Sequence, residues 1–77
     1  LSAGVRISGA GLDEALYYID AGKVLKAKVG DEYAVIYAYD KNNVSYMTES
    51  GSIMNTRAEM EAAIQESGRV IYVCDVE

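Results

Sequence analysis

The 77-residue chain predicts an α+β domain: a mainly antiparallel sheet of four to six strands with two helices on one face. Three observations carry this. The uncharged run 33–39, the turn Asp40-Lys41-Asn42-Asn43 and the run 44–48 together read as a β-hairpin. A stripe of apolar residues at helical spacing precedes this hairpin, and a second, opened by a capping signal, follows it. The connections between successive strands are too short for parallel crossovers.

Taken in order, residues 1–8 alternate weakly through Val5 and Ile7 and predict a short edge strand. Ser8-Gly9-Ala10-Gly11 is a flexible break. Leu12, Ala15, Leu16 and Ile19 then make one stripe of a helix over 12–20. Asp13 and Glu14 lie in its first turn, where the helix dipole favours negative charge. Gly22 suits the left-handed stop that follows. Of Tyr17 and Tyr18, at least one is expected to pack and one to face outward.

Residues 24–29 alternate apolar positions with Lys26 and Lys28, as a strand with one wet face does. Gly30-Asp31 turns the chain into the hairpin. Its first strand carries no charge from Tyr33 to Tyr39, which predicts a central strand covered on both faces, with Ala34 and Ala38 allowing close approach. Asn43 is expected to take the left-handed position of the turn. After Glu49-Ser50-Gly51-Ser52, a brief strand at Ile53-Met54 returns along the hairpin. Thr56 and Glu59 have the spacing of a capping box, and a helix over 57–66 follows with Met60, Ala63 and Ile64 inward. Gly68 ends it. Residues 69–75 form the last strand, Val70, Tyr72 and Cys74 on one face and Ile71 and Val73 on the other.

Composition narrows the function. Net charge is −5, with seven Lys and Arg against twelve Asp and Glu, so the basic face that nucleic acid or an anionic membrane requires is missing. No apolar run approaches the roughly 18 residues of a membrane span. There is one cysteine and no histidine, which leaves no internal disulfide and a poor ligand set for zinc. No phosphate loop or dinucleotide fingerprint is present, and no cofactor is expected. A chain this short buries only about 60% of its unfolded surface, so good packing, a partner chain or a larger parent protein is expected to support it. The seven tyrosines, without Phe or Trp, suit a shallow core or a contact surface.

Candidate chemistry is sparse. Cys74 is the strongest nucleophile type, but its place in an apolar strand and the lack of a histidine predict a buried thiol. Asp31 or Glu32 with Glu49 could make a carboxylate pair for hydrolysis only if they converged in a shielded cleft. Solvated turn acids are the simpler reading. Asp13, Glu14, Glu59 and Glu61 read as helix-start and helix-surface charge.

The order of elements over 7–76 resembles the C-terminal half of C39-like, papain-type bacterial cysteine peptidase domains. That family carries a helix and a strand "L-x-x-G-x-P-V-x-A". It continues with "G-H-x-V-V-V-x-G-Y-D" and, after a short turn, "V-x-x-x-D-P-x-x-G". The likeness rests on Tyr39-Asp40, Asn43, Gly51, Gly22 and Gly68. Counted back from Tyr39-Asp40, the family's histidine falls on Glu32, and its orienting acid falls near Thr48 with the following proline on Glu49. The family's nucleophilic cysteine lies on a helix upstream of the matched stretch. A cysteine peptidase needs a base and an orienting group. The resemblance therefore implies a degenerate, non-catalytic module of a larger bacterial protein, with no catalytic, cofactor or metal residues of its own. Expected partners are a protein or peptide, a second copy of the chain among them. A carboxylate hydrolase using Glu32 and Glu49, or a purely structural homodimerisation domain, is the alternative.

Overall fold

The computed structural model describes residues 4–7 and 11–75. Residues 8–10 of the predicted break at 8–11, and residues 1–3, 8 and 76 of the elements and of the family likeness, lie outside the described residues. The fold is α+β, with a six-stranded sheet in the order β1-β6-β2-β3-β4-β5 and every neighbouring pair antiparallel. The strands are β1 (Val5–Ile7), β2 (Lys23–Val29), β3 (Glu32–Tyr39), β4 (Asn43–Thr48), β5 (Gly51–Thr56) and β6 (Ile71–Asp75). Helical segments α1 (Leu12–Ala15) and α2 (Tyr17–Asp20) lie between β1 and β2, and α3 (Arg57–Glu66) lies between β5 and β6.

Pairing explains the core. Register sets Leu25 against both Ile36 and Val73, Ala27 against both Ala34 and Ile71, and Ile36 against Tyr46. Partners in an antiparallel ladder share a face. These residues join Leu12, Ala15 and Leu16 of the first helical region and Met60 and Ile64 of α3 in one buried cluster. The helices therefore cover one face only, and the small Ala27–Ala34 pair leaves room for them. The expectation that β3 is covered on both faces fails: Tyr33 and Tyr37, on its other face, are each 42% exposed. An uncharged strand needs no second cover when Tyr, which tolerates half-burial, supplies the open side.

A β-bulge between Ile36 and Ala38 resets the alternation. Beyond it Tyr39 pairs with Val44 and packs against the core, rather than sharing the open face with Tyr33 and Tyr37. The bulge also separates the two alanines. Ala34 is buried in the core, while Ala38 pairs with Ser45.

The predicted helix over 12–20 is divided at Leu16. Up to that residue the amides bond four residues back, as Leu16 N–H does to Leu12. Past it α2 continues as a separate four-residue α-helix, with three-back bonds at its ends from Ile19 N–H to Leu16, Ala21 N–H to Tyr18 and Gly22 N–H to Ile19. Three-back bonds of this kind are frequent at the ends of α-helices. Tyr17 and Tyr18 are both exposed, against the expectation that one packs. Gly22 takes its left-handed stop at φ 86°.

α3 starts and ends on identifiable signals. Thr56 Oγ1 accepts the Glu59 amide at 3.1 Å. The reciprocal half of the box is absent, because the Thr56 amide donates to Asn55 Oδ1 instead, at 2.8 Å. At the other end Arg69 N–H bonds the Ile64 carbonyl and Gly68 N–H that of Gln65, a Schellman closure. It places both Gly68 and Arg69 at positive φ.

The β3–β4 turn differs from the expected one. Asn43 opens β4 and is not left-handed; the Asp40 carboxylate organises the turn by accepting the amides of Asn42 and Asn43 at 2.9 and 2.8 Å. These bonds favour the charged carboxylate and hold the Asp40 pKa below its ordinary value. A lowered folded-state pKa gives stability that is present above the unfolded pKa and lost as pH falls through the folded one. In urea titrations, Asp40→Asn, which keeps an acceptor oxygen but cannot titrate, is expected to lose less stability on acidification than wild type. The gap between the two should close on the acid side. Parallel pH profiles would show that this turn carries no linkage.

Candidate functional site

Three surface regions carry the side chains singled out above. The first is the end of the sheet where β3 begins and β4 closes. Glu32 opens β3 and Thr48 ends β4, so the sheet does bring these two positions to one end of the hairpin. Thr48 serves its own turn, with its hydroxyl accepting the Ser50 amide at 3.1 Å. Asp31, Glu32 and Glu49 line one open depression together with Lys26, Val29 and Tyr33. All three acids are exposed, and the Lys26 ammonium stands 4.8 Å from the Tyr33 ring centroid beside them. The spacing left open whether these acids converge. They share a wall, but in water, and without the shielding that acid–base chemistry needs.

The second region is the junction of α1, the β3–β4 turn and α3. Arg57 organises it. Its guanidinium meets Asp13 at 2.7 Å and the carbonyls of Asp40 and Lys41 at 3.2 and 3.4 Å. It also lies 5.6 Å from the Tyr39 ring centroid. Tyr39 donates its hydroxyl to Asp20 Oδ2 at 2.7 Å, and that bond, then burial, raises its pKa. A few residues on, the Glu61 carboxylate accepts the Leu12 amide at 2.7 Å and the Gln65 side-chain amide at 3.0 Å. Glu61 was expected to be surface charge; it is instead a tie between α3 and the start of α1. Arg57, Asp13, Tyr39, Asp20 and Glu61 are all engaged with one another or with the backbone, so they form a structural bracket.

The third region is the outer face of the sheet. Tyr33, Val35, Tyr37 and Met47 line a shallow groove with Lys26, Thr48 and Glu49. Met47 is 52% exposed, and Met54 on β5 is 66% exposed. Tyr37 is held in place by a 2.7 Å hydrogen bond between its hydroxyl and Ser52 Oγ. Composition left the tyrosines between a shallow core and a contact surface; the register puts Tyr33, Tyr37 and the two methionines on one side.

Cys74 is buried, 2% exposed, as its strand position implied. Gly4 packs so closely over it that an added Cβ would come within 2.6 Å of Sγ. Among the described residues no three Cys, Asp or Glu side chains converge as a metal site, and no helix is long and apolar enough to cross a membrane. No family model, curated protein or solved structure matches the chain.

Proposed function

We propose that this domain is a non-catalytic protein-interaction module of a larger bacterial protein, a relative of the C39-like peptidases that keeps a scaffold and lacks the catalytic groups. The observation that carries the reading is the outer face of β3, β4 and β5. Small domains rarely leave contiguous aromatic and thioether surface uncovered unless something binds there. Tyr and Met are also favoured contact residues, Tyr for large rigid area with a polar tip and Met for adaptable shape. The likeness in element order supports the ancestry, and Glu32 and Thr48 at the expected catalytic positions support the loss of activity. The open setting of Asp31, Glu32 and Glu49 favours this reading over a carboxylate hydrolase.

A peptide-display selection against the immobilised domain tests it. The expected ligands alternate apolar residues in an extended stretch. Their binding should fall at least tenfold in Met47→Lys and in Tyr37→Lys, while Lys41→Ala on the opposite turn leaves it unchanged. Ligands indifferent to both outer-face substitutions would overturn the proposed surface. Hydrolysis of a peptide substrate that is lost in Glu32→Gln would overturn the non-catalytic assignment.

A further inference from the structure

The two edges of the sheet are not alike. Among the described residues β1 is three residues long and centred on Arg6, a short, charged edge of the kind that resists pairing. β5 is six residues long and contains no charge and no proline. Which of its backbone groups are free follows from the ladder. Arg57 N–H donates to the Asn42 carbonyl at 2.8 Å, so the adjacent pair Thr56–Asn43 is of the non-hydrogen-bonded kind. Alternation then turns the backbone groups of Gly51, Ile53 and Asn55 toward β4, and those of Ser52, Met54 and Thr56 away from the sheet. The Thr56 amide is already taken by Asn55. Ser52 and Met54 are left presenting both N–H and C=O outward, spaced to bond an antiparallel strand.

We propose that the occupant of this edge is a second copy of the chain, joined β5 to β5 about a two-fold axis at Ile53. The inference rests on the interaction-module reading and names one partner for it. In this register Ser52 of each copy faces Met54 of the other, and each facing pair exchanges two hydrogen bonds. Ile53 meets Ile53 as a non-hydrogen-bonded pair. The register leaves the blocked Thr56 amide outside the pairing, whereas an axis at Met54 would require it. The outward groups of Ser52 and Met54 lie symmetrically about Ile53, so the same short edge can serve as both partners of a two-fold pair. Pairing also covers Ile53 and Met54, which are 40% and 66% exposed in the single chain.

Sedimentation of the 77-residue chain from about 10 µM to about 1 mM tests the proposal. The expected mass rises from 8.3 kDa toward twice that value. Met54→Pro removes an outward N–H and no bond to β4, so it should stay folded by circular dichroism and stay monomeric. Should it unfold, Ile53→Lys, which sets two ammonium groups face to face, replaces it. Ile53→Cys reads the register: a non-hydrogen-bonded pair holds its Cα atoms about 4.5 Å apart, within disulfide range. Mild oxidation should then give a covalent dimer from Ile53→Cys and none from Met47→Cys. A monomer at every concentration, self-association unaffected by the edge substitutions, or cross-linking at Met47 alone would each overturn the pairing. A monomer that still binds outer-face ligands would leave the interaction module standing without its self-pairing; a monomer that binds none would remove both.

Discussion

Ile36→Ala is expected to cost about 2–5 kcal/mol of folding stability. Ile36 sits near the middle of the sheet, fully buried, paired with Leu25 on one side and Tyr46 on the other. The helical residues of the same cluster close over that face. The substitution removes three carbons from a site that rigid strands on both sides cannot collapse to fill. At roughly 0.05–0.15 kcal/mol per residue, a 77-residue domain holds only about 4–12 kcal/mol in total. The loss is thus a large share of all the stability there is, and each kcal/mol should lower the Tm by about 4–8 °C. Met47→Ala is the matched comparison. Met47 lies on neighbouring β4 but on the open face, 52% exposed, and is expected to cost no more than about 0.5 kcal/mol. Urea unfolding of both variants at constant m-value decides the matter. Equal losses would mean that the outer face is packed as tightly as the inner one.

That contrast marks how far the amino-acid sequence is legible. The class and the strands follow from local pattern: β3 and β4 from their apolar runs, α3 from Thr56 and Gly68, β2 from lysines spaced two apart. Residue identity does not say which face of an uncharged strand is covered. Tyr33, Tyr37 and Tyr39 all lie at odd positions and would share a face in a regular strand. The bulge after Ile36 separates them, leaving two tyrosines on the outer face and turning the third toward Asp20. Bulges follow from pairing between strands and leave no mark in one strand's composition. The free edge is legible only in part. The lack of charge over 51–56 is visible in the sequence, but which amides point outward depends on the phase of the β4–β5 ladder. The peptidase likeness drew on spacing along the hairpin. That spacing does place Glu32 and Thr48 at one end of the sheet, and the side chains there make no acid–base pair.

Glu61→Ala is expected to cost about 1–3 kcal/mol, the usual penalty for leaving a partly buried donor without its acceptor. The donor is the Leu12 amide, at the first turn of α1, where no side chain from within that segment caps the helix. α1 is four residues long and cannot hold itself together by its own hydrogen bonds. What fixes it is burial of Leu12, Ala15 and Leu16 and the carboxylate reaching over from α3. Gly11 belongs to the same contact, since a Cβ there would lie 3.2 Å from Glu61 Oε1. Glu61→Gln keeps an acceptor oxygen of the same reach and should recover most of the loss. A conservative change that restores stability separates loss of the hydrogen bond from loss of helix propensity, which favours Ala and would by itself raise stability. Hydrogen exchange at the Leu12 and Leu16 amides is the most direct measurement. Both should exchange faster in Glu61→Ala while amides of β2 and β3 keep their protection relative to the new global stability. If the first helical region instead keeps its wild-type protection in Glu61→Ala, apolar burial alone holds it to the sheet. The Glu61 contact would then be a consequence of that docking rather than a cause.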